Sequence, residues 1–326
     1  MSKYILRDVL DALYDMQKLR IASGNRLYQI FKDKSDADTA IKDEIEKEQL
    51  SETEEVLDAK ADEILKAVNS EYKELTAYMV DNNKTIASAL KKIETIKILT
   101  KTDYSMVKAY NLLLESEESY KKVLTDTIKD HPVFTGFLSQ VKGCGPMMSA
   151  NILAYLDPYK ARHASSFRKY AGLDVVATKD KDGNPVLDED GNIITHGRKM
   201  GDTEEYEYID KNGNKAIKKG LTYNPKLKSK LIGVLASGMI KAKDPVYTKI
   251  YYDYKLRLEN HPKHREKSAA HRNNMALRYM IQKFLSNLWV YWRTLEGLEV
   301  TLPYEVDKLG MRPHGYNDGD NKKKEN

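Results

Sequence analysis

The chain has 326 residues, one cysteine (Cys144) and a formal net charge of +5. That length can bury a substantial core and suggests two domains, or one core with an elaborate extension. A lone cysteine excludes an intramolecular disulfide framework or a thiolate zinc cluster, and no uninterrupted apolar run reaches membrane-spanning length.

The opening segment MSKYILRDVLDALYDMQKLR carries acids and bases throughout and lacks an apolar signal core. The protein is therefore expected to be soluble and cytoplasmic, with no membrane partner. Charge is unevenly placed. Residues 1–130 carry roughly −5, which against the total of +5 leaves about +10 for residues 131–326. The basic part is where a polyanion would bind, although lysine-rich faces are also common on soluble proteins.

In chain order, Ile5, Val9, Leu10, Leu13, Met16, Leu19 and Ile21 recur at spacings of three and four, the period of an amphipathic helix. The stretch from Asp33 to about residue 96 has no Pro or Gly and is rich in Glu, Lys, Ala and Leu. It predicts one or two long helices packed as a hairpin or coiled coil, with Ser51 and Glu54 at capping-box spacing. The whole of residues 1–130 reads as an acidic helical module for homo-oligomeric assembly. His131–Pro132 marks its end, because proline disfavours helix in the residue before it.

Residues 131–173 contain VFTGFLSQV, then KGCGP, then an apolar helix beginning near Pro146, and finally SSFRKYAGL as a short helix stopped by Gly172. From 174 to 224 the character changes. DKDGNPVLDEDGNIITHG and EYEYIDKNGNKAIKK hold Asp-Gly and Asn-Gly turn dipeptides between β-prone residues, and both predict β-hairpins in an exposed insertion. Helical periodicity returns over 225–310, and 311–326 is a polar tail. No internal repeat of fixed period is evident. The fold class expected is mainly α, with a C-terminal helix-hairpin-helix domain interrupted by the β insertion.

The motif Val141-Lys142-Gly143-Cys144-Gly145-Pro146 matches a helix-hairpin-helix. Its glycines permit a tight turn, and the second helix would start with a cluster of unpaired amides that attract phosphate with help from the helix dipole. The candidate nucleic-acid-binding residues are Lys142, Gly143, Cys144, Gly145 and Met147, with Lys160, Arg162, Arg168 and Lys169 expected to line the same groove. The alternative is that Gly-x-Gly-Pro merely turns one buried helix into another. Tyrosines 247, 251, 252, 254 and 279, with Trp289 and Trp292, either stack on bases or, more simply at helical spacing, fill the core. His261, His264 and His271 lack a companion metal motif and read as surface or phosphate-facing groups. No P-loop, nucleophile elbow or dinucleotide fingerprint is present, so no cofactor is expected.

FLSQVKGCGPMMSANILAYLDPYKARHASSFRKYAGL, GLTYNPKLKSKLIGVLASGMIKAKDPVYTKIYYDYK and AHRNNMALRYMIQKFLSNLWVYWRTLEGLEVTLPY together resemble the C-terminal domain of IS110/IS116/IS902-type transposases. The resemblance covers roughly the last 190 residues apart from the insertion, and is strongest at Gly143/Gly145, at Tyr170–Leu173 and in the closing helix. It implies a helical domain that handles DNA. In that family this domain also supplies a serine nucleophile, and an RNase H-like N-terminal domain supplies acidic magnesium ligands.

Neither catalytic feature has a counterpart here. Residues 1–130 read as helix throughout, and the segment from Asp174 to Lys228 has no serine, with His196-Gly197-Arg198 in the nearest comparable place and Thr195 or Thr222 as candidate substitutes for the missing nucleophile. The expectation is thus a non-catalytic, transposase-derived binder of DNA, or of RNA, with low sequence specificity, associated with a mobile element or phage. The alternatives are an active recombinase with a displaced nucleophile or partner-supplied catalytic domain, and a phage structural or anti-host protein using the domain as a scaffold.

Overall fold

The computed structural model describes residues 3–39 and 54–301. The Ser51 cap and the 311–326 tail lie outside them. The fold is mainly helical, with two small antiparallel sheets of two strands each. No described helix is long and apolar enough to cross a membrane. The described residues form two compact units: one draws on positions 8–123, and the other on positions 124–301 together with residues up to Arg7. The boundary precedes His131–Pro132 because a helix end is not a domain edge. Helix α4 runs unbroken to Ile128, and the Leu124 and Ile128 side chains of its last turns are buried.

The N-terminal unit is built from α1 (Lys3–Thr39), α2 (Glu54–Asp81), α3 (Ile86–Ala89) and α4 (Lys101–Ile128). Leu27, Phe31, Val68, Leu75, Ile98 and Val107 form its core. Two carboxylates organise the bend before α4. Glu71 accepts the N–H groups of Ile96, Lys97 and Ile98 at 3.0–3.2 Å, and Asp103 accepts those of Leu99 and Thr100 at 3.1 and 3.0 Å. A third, Glu117, is 1% exposed and is held by Arg20 (2.5 Å), Lys121 (2.7 Å) and Gln17 (3.0 Å). Burial alone would raise its pKa, but these partners overcome that and hold the carboxyl at about 2.

The C-terminal unit starts with α5 (Pro132–Gly136), a 3₁₀ turn (Leu138–Gln140), α6 (Pro146–Tyr155) and α7 (Ala164–Tyr170). After the insertion come α8 (Pro225–Ser229), a π-type turn (Lys230–Leu235), α9 (Ala236–Lys241), α10 (Tyr247–Asn260), α11 (Pro262–Arg265) and α12 (Ala269–Leu295). Prolines open α5, α6, α8 and α11, where the absent N–H costs nothing. Both His-Pro pairs act alike: His131 and His261 each accept, through Nδ1, the N–H two residues on. Helix α12 is the axis of the core, with Ile281, Phe284, Leu285, Leu288 and Trp289 fully buried, and Trp289 donates to the Ala161 carbonyl (2.8 Å). Of the tyrosines weighed as base-stacking platforms, Tyr247 and Tyr251 are buried, as are both tryptophans, while Tyr252 is exposed.

The insertion contains β1 (Val175–Ala177) paired with β2 (Thr195–Gly197), and β3 (Glu204–Ile209) paired with β4 (Lys215–Gly220). The second pair is the hairpin expected from EYEYIDKNGNKAIKK. The first is more elaborate: Thr178, Val186 and Ile194 hydrogen-bond in a ring, each N–H donating to the next carbonyl at 2.8 Å, so three short segments close on one another. This geometry reveals a repeat that periodicity did not show. Asp-x-Asp/Asn-Gly-Asn recurs at 180, 188 and 210, the first two copies eight residues apart. In every copy the Asp Oδ1 accepts the N–H groups two and four residues on, and the glycine sits at φ between 79° and 88°. Those backbone hydrogen bonds hold the Asp188 and Asp210 carboxyls below their ordinary pKa.

One arginine joins the roots of both strand pairs. Arg198, 3% exposed, pairs bidentately with Asp174 before β1 (2.9 and 2.8 Å), and through Nη1 donates to Glu204 at the start of β3 (2.9 Å) and to Thr222 after β4 (3.2 Å). The Asp174 hydrogen bonds, against the opposing effect of burial, raise the guanidinium's pKa, so its charge is fixed. His196, Gly197 and Arg198 therefore belong to the base of the arm. His196 bonds Asp202 (3.1 Å) and Thr178 (3.0 Å), and Gly197 leaves room for the Arg278 guanidinium, which a Cβ would meet at 2.0 Å.

Candidate nucleic-acid interface

The turn before α6 owes its shape to a contact between distant glycines. Gly143 has φ of +89°, and a Cβ on it would lie 2.3 Å from the carbonyl carbon of Gly238 in α9; a Cβ on Gly238 would lie 2.9 Å from the Gly143 oxygen. Two backbones cross where no side chain fits. The turn is pinned again by Asp244, 3% exposed, whose Oδ2 accepts the Lys142 N–H (2.9 Å) while Oδ1 accepts those of Val246 (3.0 Å) and Tyr247 (2.8 Å) at the start of α10. The first half of the expected helix-hairpin-helix is thus a short helix plus a 3₁₀ turn rather than one continuous helix.

The expected cluster of open amides is smaller than the motif suggested. The Lys142 N–H belongs to Asp244, and the Cys144 N–H donates to the Val141 carbonyl (3.0 Å). The Cys144 side chain is buried beside Ser149, and burial pushes its thiol up to about 11, so Cys144 is a core residue and offers nothing to a phosphate. The amides of Gly143, Gly145 and Met147 have no acceptor among the described residues. Gly145 is the N-cap of α6 with open space around it, and Lys142, Gly143, Gly145 and Pro146 are exposed.

Helix α6 itself strengthens this site. Every residue from Met148 to Ala154 is buried, so its dipole is little screened along its length. At the other end Arg7 donates to the Ala154 carbonyl (2.7 Å), placing a cation where the dipole is negative.

The other candidate residues do not gather at this turn. Lys160 and Arg162 are exposed but follow the far end of α6, a helix of ten residues and about 15 Å. Lys169, on α7, acts electrostatically on Glu204, so it faces the root of the arm, and Arg168 beside it is half-buried. Missing from the sequence reading were Gly238 and Asp244, with Lys241 and Lys243, which are exposed on the same segment. The Asp244–Pro245 pair was a legible helix boundary, but its partner 102 residues away was not.

Thr222, one of the candidate substitutes for the nucleophile, donates to Glu204 Oε2 (3.1 Å). Hydrogen bonding from Arg198 lowers the Glu204 pKa, which makes that carboxylate a weak base, and Thr222 functions as part of the clamp. Among the described residues no group of three or more His, Cys, Asp or Glu side chains is placed to hold a metal. No protein-family model matches this chain, and no curated protein or solved structure matches it.

Proposed function

We propose that the protein binds nucleic acid, DNA in the first instance, through the sugar-phosphate backbone at the turn before α6, without cutting it. The observation that carries this is the exposed end of an otherwise buried helix, where the Gly145 and Met147 amides lack a protein partner and Lys142 adds charge. The excess of basic residues after position 130 and the resemblance to IS110-type transposases support the same reading, including an origin in a mobile element or phage. Backbone contacts carry little sequence information, so specificity is low and affinity falls steeply with salt. The acidic N-terminal unit serves assembly: its α4 exposes Leu112 and Val123, and a mass measured by light scattering that stays monomeric at every concentration contradicts that part.

Anisotropy titrations of a labelled duplex over a range of salt test the binding. We expect log affinity to fall linearly with log salt. Affinity independent of salt, or no binding at low salt, contradicts the proposal.

A further inference from the structure

The fold gives the three histidines of Asn260–Arg272 a common setting. Helix α10 ends at Asn260, His261 caps α11, and Ser268 caps α12 by accepting the His271 N–H (3.2 Å). These two turns bring Arg257, Lys263, His264, Arg265, Lys267 and His271 to one end of the C-terminal unit. Arg272 donates to the Arg265 carbonyl (2.7 Å) and to that of Lys267, which fixes the turn with one more cation.

The cluster carries more positive than negative charge, and its cations are largely left without ion-pair partners. Among the described residues Arg257, Lys263, Arg265 and Lys267 form no ion pair, although Glu259 and Glu266 lie in the same stretch. Asp253 on α10 is engaged by Lys249 (2.6 Å), and Asp188, from the arm, is the acid facing Lys263. His264 is half-buried, its Nδ1 is enclosed without a hydrogen-bond partner, and its ring lies 4.7 Å from that of His261. Burial first, and then Lys267, His261, His271 and Arg257, lower its pKa. Like charges held together raise the energy of the free protein, and a polyanion reverses that term.

We propose that this end of the unit is a second nucleic-acid contact surface, and that phosphate binding there is coupled to proton uptake by His264. The identity of the polymer rests on the function proposed above; the surface itself does not. An anion close to the imidazole favours its charged form, so affinity rises as pH falls through the histidine range.

The test uses the full chain and a labelled duplex of about 20 base pairs, titrated over salt at about pH 5.8 and 7.5. Wild type is expected to bind roughly 10-fold tighter at the lower pH with a steeper salt dependence, each added phosphate contact steepening the slope by about 0.9. H264Q is expected to lose that pH dependence, and K263E/K267E to weaken binding at both pH values, with thermal melting confirming that each variant is folded. A duplex RNA probe, which shares the phosphates, is expected to show the same coupling. Full wild-type pH dependence in H264Q, or unchanged affinity in K263E/K267E, overturns the proposal. If those variants bind as wild type while K142E does not, this surface is wrong and the α6 turn stands. The reverse pattern removes the turn and keeps this surface. No binding of wild type to either probe at either pH removes both.

Discussion

Residues 96–100 and residues 142–147 both present backbone N–H groups at a bend between helices, and the molecule closes one and leaves the other partly open. At the first bend Glu71 and Asp103 accept five consecutive amides, so an internal pair of carboxylates holds the place an external anion would take. At the second, Asp244 reaches only the Lys142 amide, and those of Gly143, Gly145 and Met147 have no protein acceptor among the described residues. An amide-rich turn is therefore not by itself an anion site. What matters is which donors the protein has already satisfied, and this is decided partly by side chains far away in sequence, Glu71 at one bend and Asp244 at the other.

The largest expected effect falls on the turn's architecture. Gly143→Ala forces a Cβ into the Gly238 backbone at a φ of +89°, and should cost about 3 kcal/mol or more, read as a lowered Tm with loss of DNA binding. Wild-type stability would show that the two backbones can separate cheaply.

In the N-terminal unit Glu117 sets a pH dependence. Its folded pKa, about 2, lies below that of an ordinary carboxyl, so its stabilisation is complete above the unfolded pKa and is lost as pH falls toward 2. The span is worth about 3 kcal/mol. Denaturation between pH 6 and 2 should show this loss in wild type and a flatter profile in Glu117→Gln.

Opening the closed bend is a smaller change. Glu71→Ala leaves three amides without their carboxylate and should cost about 2 kcal/mol in chemical denaturation. A neutral result would mean that water replaces the carboxylate without loss. On the binding side, Lys142→Glu should weaken duplex binding about 10-fold at low salt and flatten the salt slope by about one phosphate, with Tm unchanged. Arg162→Glu, beyond the other end of α6, should change affinity by no more than about twofold.

Much of this architecture is legible locally. Apolar spacing reports α1 and α12, proline marks the starts of α5, α6, α8 and α11, and Asn-Gly marks the β3–β4 turn, because each depends on the conformational preferences of a few neighbouring residues. The site is legible only in part. KGCGP announces a tight turn, but its status as a donor depends on Gly238 and Asp244, about a hundred residues away. Arg168 and Lys169 looked like companions of Lys142 because they follow it closely, yet α6 and α7 carry them elsewhere. Arg198 stands in the place nearest the family's serine, and its clamp on Asp174, Glu204 and Thr222 has no local signature. Pairing across long sequence separation leaves no periodic trace in a single chain.

The most direct test of the central claim follows backbone amide resonances of the full chain during titration with duplex DNA at low salt. The Gly145 and Met147 signals should shift early and return as salt is added, while those of Ile96, Lys97 and Ile98 stay in place. Shifts that spare Gly145 and Met147, or that involve the Glu71 bend equally, would contradict the view that the open turn before α6 grips the phosphate backbone.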